Sequence, residues 1–184
     1  MTAANRKKMS FKVALGGILT ALALILLMGT GILPIATYAL PGLAGALMIC
    51  AVLELGYKWA FSVFAATALL SLLLTPDREA ALLFVFFFGH YPILKSLIER
   101  VSSRVLEWII KLTVFNLCVL GCYALIFFVF EMQYVIQSFD GFGRYALLIF
   151  SLVGNIVFVL YDFTLSSLVQ FYIRVVRVKL FRRL

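Results

Sequence analysis

Long runs with no charge on any face leave a chain few ways to fold. Residues 13–33 and 112–130 are such runs, each close to the roughly 20 apolar residues that cross a hydrocarbon core. A helix in a water-soluble bundle needs a polar face, and neither run has one. Apolar stretches at residues 40–55, 59–74, 80–98 and 145–172 repeat the pattern. The chain therefore reads as an all-α, polytopic integral membrane protein, a single membrane domain over residues 1–184. Composition agrees: 65% of residues are hydrophobic and only 13% are charged, against about 25% in globular proteins.

A net charge of +8 raises the question of nucleic acid, and the placement of the charge answers it. With the N-terminus inside, the inner segments carry Arg6, Lys7, Lys8, Lys12, Lys58, Lys95, Arg100, Arg104, Lys111, Arg174, Arg177, Lys179, Arg182 and Arg183, which is 14 of the 16 basic residues. The outer loops keep Arg78 and Arg144. Six transmembrane helices with both termini cytoplasmic satisfy the positive-inside bias. The expected partner of the charge is the lipid bilayer of the cytoplasmic (plasma) membrane, not nucleic acid. The basic start and first apolar run look like a signal peptide. However, the run is longer than an h-region of about 7–15 residues, and only a weak site, Thr37-Tyr38-Ala39, follows. An uncleaved first helix is expected. The tail at residues 174–184 is basic and partly apolar, suited to an anionic leaflet.

Proline and glycine punctuate the crossings. Pro34 ends the first helix and Pro41 opens the second, because proline cannot continue a preceding turn. Gly42, Ala46 and Cys50 recur at four-residue spacing, a small face that lets a neighbouring backbone approach. Thr75-Pro76-Asp77 closes the third helix, and Glu79 falls in the first turn of the fourth, where a carboxylate suits the helix dipole. The apolar part of that fourth run, residues 80–94, covers only about 22 Å and needs part of residues 95–98 to cross. Gly89 and Pro92 lie in its inner half. Pro92 leaves the Phe88 carbonyl without its usual donor, so a kink is expected there, either aiming the next segment or as a packing irregularity. Residues 96–111 read as an amphipathic interfacial helix with Leu97, Ile98, Val101, Val105 and Trp108 on its apolar side.

Polar residues inside the crossings are the site candidates. Asp162 is a carboxylate well inside an apolar run. An intramembrane acid is costly and points to a proton or cation site, the alternative being a hydrogen-bonded Asp that joins helices. His90 and Asn116 fall at a similar inner depth, so His90, Asn116 and Asp162 form either one intramembrane cluster or three separate helix contacts. On the outer side Asp77, Arg78, Glu79, Glu131, Gln133 and Arg144, beside Tyr38, Tyr134 and Tyr145, are candidate ligand contacts or ordinary loop residues. Cys118 and Cys122 are one turn apart, but the chain has a single His, so packing is expected for the cysteines and no metal or cofactor. No HExxH, GxSxG or phosphate loop occurs, and an enzyme is not expected.

The six helices, the short basic N-terminus, the first-helix sequence VALGGILTALALILL and the proline-punctuated first outer loop resemble the substrate-binding S components of energy-coupling factor (ECF) vitamin transporters. They also resemble related six-helix bacterial membrane proteins without an assigned substrate. The resemblance spans the chain and lies in its layout. It implies a transport subunit that captures a small vitamin-like solute from outside and works with a membrane coupling subunit and ATPases. Family members use an AxxxA pattern on helices one and three to meet the coupling subunit. This chain has none, Gly17-Ala21 and Ser62-Ala66 being its nearest small pairs. The other function class is an integral scaffold of a cell-envelope or cell-shape assembly, with envelope proteins as partners. The first predicts a pocket among helices four to six, the second a filled bundle.

Overall fold

The computed structural model describes residues 3–32, 36–128 and 146–177. Among them every regular element is helical: α1 (Ala3–Gly29), α2 (Ala39–Leu55), α3 (Tyr57–Leu74), α4 (Arg78–Leu83), α5 (Tyr91–Ile98), α6 (Arg104–Phe128) and α7 (Ala146–Phe171), with π-helical turns at Phe84–Phe88 and Tyr172–Arg177. Five stretches are long and apolar enough to cross a membrane: Met9–Gly29, Tyr57–Leu74, Arg78–Ile98, Arg104–Ile126 and Ile149–Val175. The 17-residue α2 is apolar but shorter. These helices fit a multi-pass membrane protein.

The faces of α1 show why a bilayer suits this chain. Leu19, Ala23 and Leu27, at four-residue intervals, are buried, while Ile18, Leu22 and Ile25 are exposed. A helix apolar on both its packed and its outward side has no water-facing surface; lipid asks for none. The basic residues at the start belong to α1, which begins at Ala3 rather than at residue 13. Its end tightens through amides of Thr30 and Gly31 donating to the carbonyls of Leu27 and Met28. α1 packs on α2 and α3. Gly56, with φ 83°, occupies the left-handed region and lets α3 start directly after α2.

The crossing from Arg78 to Ile98 is the most enclosed of the five, and α2, α3 and α6 pack against it. It begins at Asp77, whose Oδ1 accepts the Ala80 amide at 3.1 Å as an N-cap. The Gly89 amide then reaches back to the Phe84 carbonyl at 2.8 Å, one residue further than an α-helix allows. The helix is interrupted at Gly89 and His90 and restarts as α5, with Pro92 in its first turn, where a missing N–H costs little. The Phe88 carbonyl lies against Gly45 of α2, so closely that a Cβ there would overlap it. Tyr161 of α7 donates its hydroxyl to the Gly42 carbonyl at 3.2 Å on the same side of α2.

Aromatic rings fill the centre. Phe115 and Phe158 stack at 4.6 Å, and Phe87 stands edge-on to Phe115 at 5.1 Å. Tyr91 and Phe158 are in contact at 5.3 Å, both buried. Since lipid is as apolar as these rings, close packing and hydrogen bonds hold the bundle rather than escape from water.

Residues 96–111 do not form the separate interfacial helix read from the sequence. α5 ends at Ile98 and α6 begins at Arg104, so the fifth helix starts about two turns earlier than residue 112. Lys111, expected at the end of that segment, is instead inside α6 and 2% exposed, among the carboxylates described next.

Candidate functional site

Three chain segments meet in a buried network of charge. From α5, the Tyr91 hydroxyl and the Lys95 Nζ both donate to Asp162 Oδ1 at 2.6 Å. From α6, the Lys111 Nζ donates to Asp162 Oδ2 at 3.1 Å. Lys95 also meets Glu99 at 2.7 Å, and Lys111 meets Glu107 at 2.7 Å and Glu99 at 3.3 Å. The side chains of Lys95, Lys111 and Asp162 are 4%, 2% and 4% exposed, whereas that of Glu99 is 42% exposed. Two ammonium groups thus share three carboxylates, with Asp162 at the centre and Glu99 at the rim. A buried charge survives only when paired and hydrogen-bonded, and both carboxylate oxygens of Asp162 have donors. The network binds α5, α6 and α7 at one end of the bundle.

That geometry separates the three residues read as a possible intramembrane cluster. Asp162 lies in the ion-pair network. Asn116 instead pairs with Asn155 of α7 through reciprocal amide bonds of 3.0 and 3.2 Å, and each also donates to the carbonyl four residues back. His90 places Nδ1 3.3 Å from the Val85 carbonyl and Nε2 3.7 Å from Cys118 Sγ. Among the described residues these are separate helix contacts. Lys95 and Lys111, read as loop charges, are the residues the sequence reading missed. The signal was present: Tyr91 and Lys95, like Glu107 and Lys111, are spaced by four and so share a helix face.

At the opposite end a second buried carboxylate stands out. Glu79 is 5% exposed, and its Oε1 accepts the hydroxyls of Tyr38 and Tyr123, both at 2.9 Å. The two phenol oxygens lie 3.4 Å apart. Burial first, with the carboxylates of Glu79 and Asp77 adding, pushes the Tyr38 phenol up to about 12. Thr37 donates to Asp77 Oδ2 at 2.8 Å, so that Asp77 both caps α4 and ties down the turn before α2. Arg78 turns away and donates to the Leu72 carbonyl. Glu131, Gln133 and Arg144 lie outside the described residues, as do Pro34 and residues 178–184 of the basic tail.

An open groove of about 620 Å³ runs along one face of α7, lined by Ser151, Leu152, Asn155, Ile156, Val159 and Leu160. Among the described residues no group of three or more His, Cys, Asp or Glu side chains could hold a metal ion. No known protein family, curated protein or solved structure matches this chain.

Proposed function

We propose that this chain is the membrane-embedded substrate-binding subunit of a transporter for a small vitamin-like solute, resembling an ECF S component, with six crossings and both termini cytoplasmic. The observation that carries the reading is the contrast between the two ends of the bundle. At the Glu79 end a buried carboxylate is held by two phenols beside the Thr37–Asp77 bond, a set of groups able to orient a polar solute. At the Asp162 end the helices are tied together by buried ion pairs. A subunit that captures solute from one side needs recognition groups at one end and closure at the other. The 14-to-2 sorting of basic residues, counted over six crossings with the N-terminus inside, supports a cytoplasmic side for the Asp162 end. As a transport subunit the chain works with a membrane coupling subunit and its ATPases.

The test is mass spectrometry of small molecules retained by the purified full-length protein. A bound solute that is lost in Glu79→Gln and Tyr123→Phe supports the reading. Equal retention by wild type and both variants, or no retained molecule after mild extraction, refutes it.

The scaffold reading draws on a different observation, the closely packed centre formed by Phe87, Phe115, Phe158 and Tyr91. A filled bundle suits a protein whose task is to hold envelope partners. Crosslinking in intact cells separates the two, since a scaffold yields cell-envelope proteins and a transport subunit yields a coupling ATPase complex.

A further inference from the structure

The basic residues at the Asp162 end are not all alike. Lys95 and Lys111 are consumed by carboxylates inside the bundle. Lys12, Lys58 and Arg100 take part in none of the ion pairs among the described residues, and two of them are held by aromatic rings. The Lys12 Nζ sits 6.0 Å from the centre of the Trp59 ring. The Arg100 guanidinium lies 5.1 Å from the Tyr57 ring and donates to the Tyr57 hydroxyl at 2.7 Å. Lys58 stands between them in sequence and is exposed. Tyr57 and Trp59 lie two residues apart in the first turn of α3, so they face opposite sides of the helix. The cations therefore flank the start of α3, one from α1 and one from the turn between α5 and α6.

The level of this patch is fixed by two contacts. Tyr172, just past α7, donates to Glu54 at the end of α2 at 3.3 Å, and Arg100 reaches Tyr57. The ends of α2 and α7, the start of α3 and the α5–α6 turn thus share one plane, where apolar helix gives way to polar side chains. Aromatic rings with an apolar body and polar edge settle at such a plane. The acidic neighbours are Glu54, engaged by Tyr172, and Glu99, engaged by Lys95 and Lys111.

We propose that the start of α3 is a headgroup surface for anionic phospholipid, with Lys12 on one side and Arg100 on the other each meeting a lipid phosphate and the exposed Lys58 between them. A cation resting on an aromatic face keeps part of its N–H set turned outward, and two cations held on rings with an exposed lysine between them complement a headgroup of net negative charge rather than a zwitterionic one. The sorting of basic residues to one side accounts for their number. It does not account for their attachment to Tyr57 and Trp59.

The test uses the full-length protein in detergent with added phosphatidylglycerol or phosphatidylcholine, counting retained lipids by native mass spectrometry. Phosphatidylglycerol is retained in preference. Each basic residue near an anionic surface is worth roughly fivefold, so the triple variant Lys12→Gln/Lys58→Gln/Arg100→Gln loses roughly 100-fold in retention, and Arg100→Gln alone roughly fivefold. A control removing equal charge, Arg6→Gln/Arg104→Gln/Arg174→Gln, leaves retention largely unchanged. Equal retention of the two lipids, equal loss in both triple variants, or displacement of the lipid by inorganic phosphate each overturns the proposal.

Discussion

Replacing Asp162 by Asn removes one negative charge while keeping the size of the side chain, and it tests the buried network directly. In the native protein three donors converge on this carboxylate, from Tyr91, Lys95 and Lys111. Asn offers one acceptor oxygen and an amide that donates, so either Lys111 or the Tyr91–Lys95 pair faces a second donor. Lys95 keeps Glu99 at 2.7 Å and Lys111 keeps Glu107 at 2.7 Å, which limits the loss without removing it. Breaking a buried ion pair by deleting one partner costs about 3–5 kcal/mol. At roughly 2–4 °C per kcal/mol for a chain of this length, the thermal midpoint of the purified protein in detergent falls by about 6–20 °C. The triple variant Lys95→Met/Lys111→Met/Asp162→Leu removes the three most buried charges and regains part of that loss, because apolar replacement of a buried set is close to neutral, while Glu99 and Glu107, 42% and 19% exposed, are left to water. Midpoints followed by loss of the monodisperse peak on size exclusion measure both. An Asp162→Asn protein as stable as wild type refutes the network as a structural tie, as does a triple variant less stable than the single one.

Other perturbations follow from single contacts. Gly45→Ala places a methyl on the Phe88 carbonyl and the Tyr161 hydroxyl, a backbone neighbour that cannot turn aside, and destabilises by about 1–3 kcal/mol. Gly17→Ala meets nothing within 4 Å and leaves the same thermal midpoint unchanged or slightly raised, so equal effects at the two sites count against the helix contact. Thr75 carries a buried hydroxyl with no hydrogen-bond partner among the described residues. Thr75→Val, which keeps the shape, raises stability by about 1–2 kcal/mol, and a fall in the midpoint shows that the hydroxyl is used. The Tyr38 phenol, raised from 10.0 to about 12, favours the folded state while protonated. That contribution is complete below pH 10 and is lost as pH rises through 12; a difference ultraviolet titration of wild type against Tyr38→Phe that shows ionisation near pH 10 contradicts the placement of this half-exposed phenol against Glu79.

The helical, membrane-like class was legible because it rests on what no other fold tolerates, uncharged runs such as residues 13–33 and 112–130. The sites were less so. Hydropathy assigns a lysine to water, and by that rule Lys95 and Lys111 belonged in a loop; only the approach of Asp162 from a helix 51 residues beyond Lys111 moves them inside. The Asn116–Asn155 pair was hidden for the same reason, since its partners are 39 residues apart. Local signals fared differently. Pro92 marked the region where the central crossing is interrupted, but the π-helical turn at Phe84–Phe88 depends on a register that five consecutive apolar residues do not disclose. Glu79 was visible as a first-turn acid, whereas its two phenols come from chain 41 and 44 residues distant.

The ion-pair network also carries an order of events. A ribosome delivers Lys95 and Lys111 to the membrane before Asp162 exists, and the intervening 51 residues take roughly 3–10 s to synthesise. During that interval the two lysines have local partners, since Glu99 follows Lys95 by four residues and Glu107 precedes Lys111 by four. Each pair fits on a single helix turn and needs nothing from the rest of the chain. The α5–α6 hairpin can thus enter the bilayer with its ammonium groups escorted, and α7 joins it last, bringing the carboxylate that holds all three together.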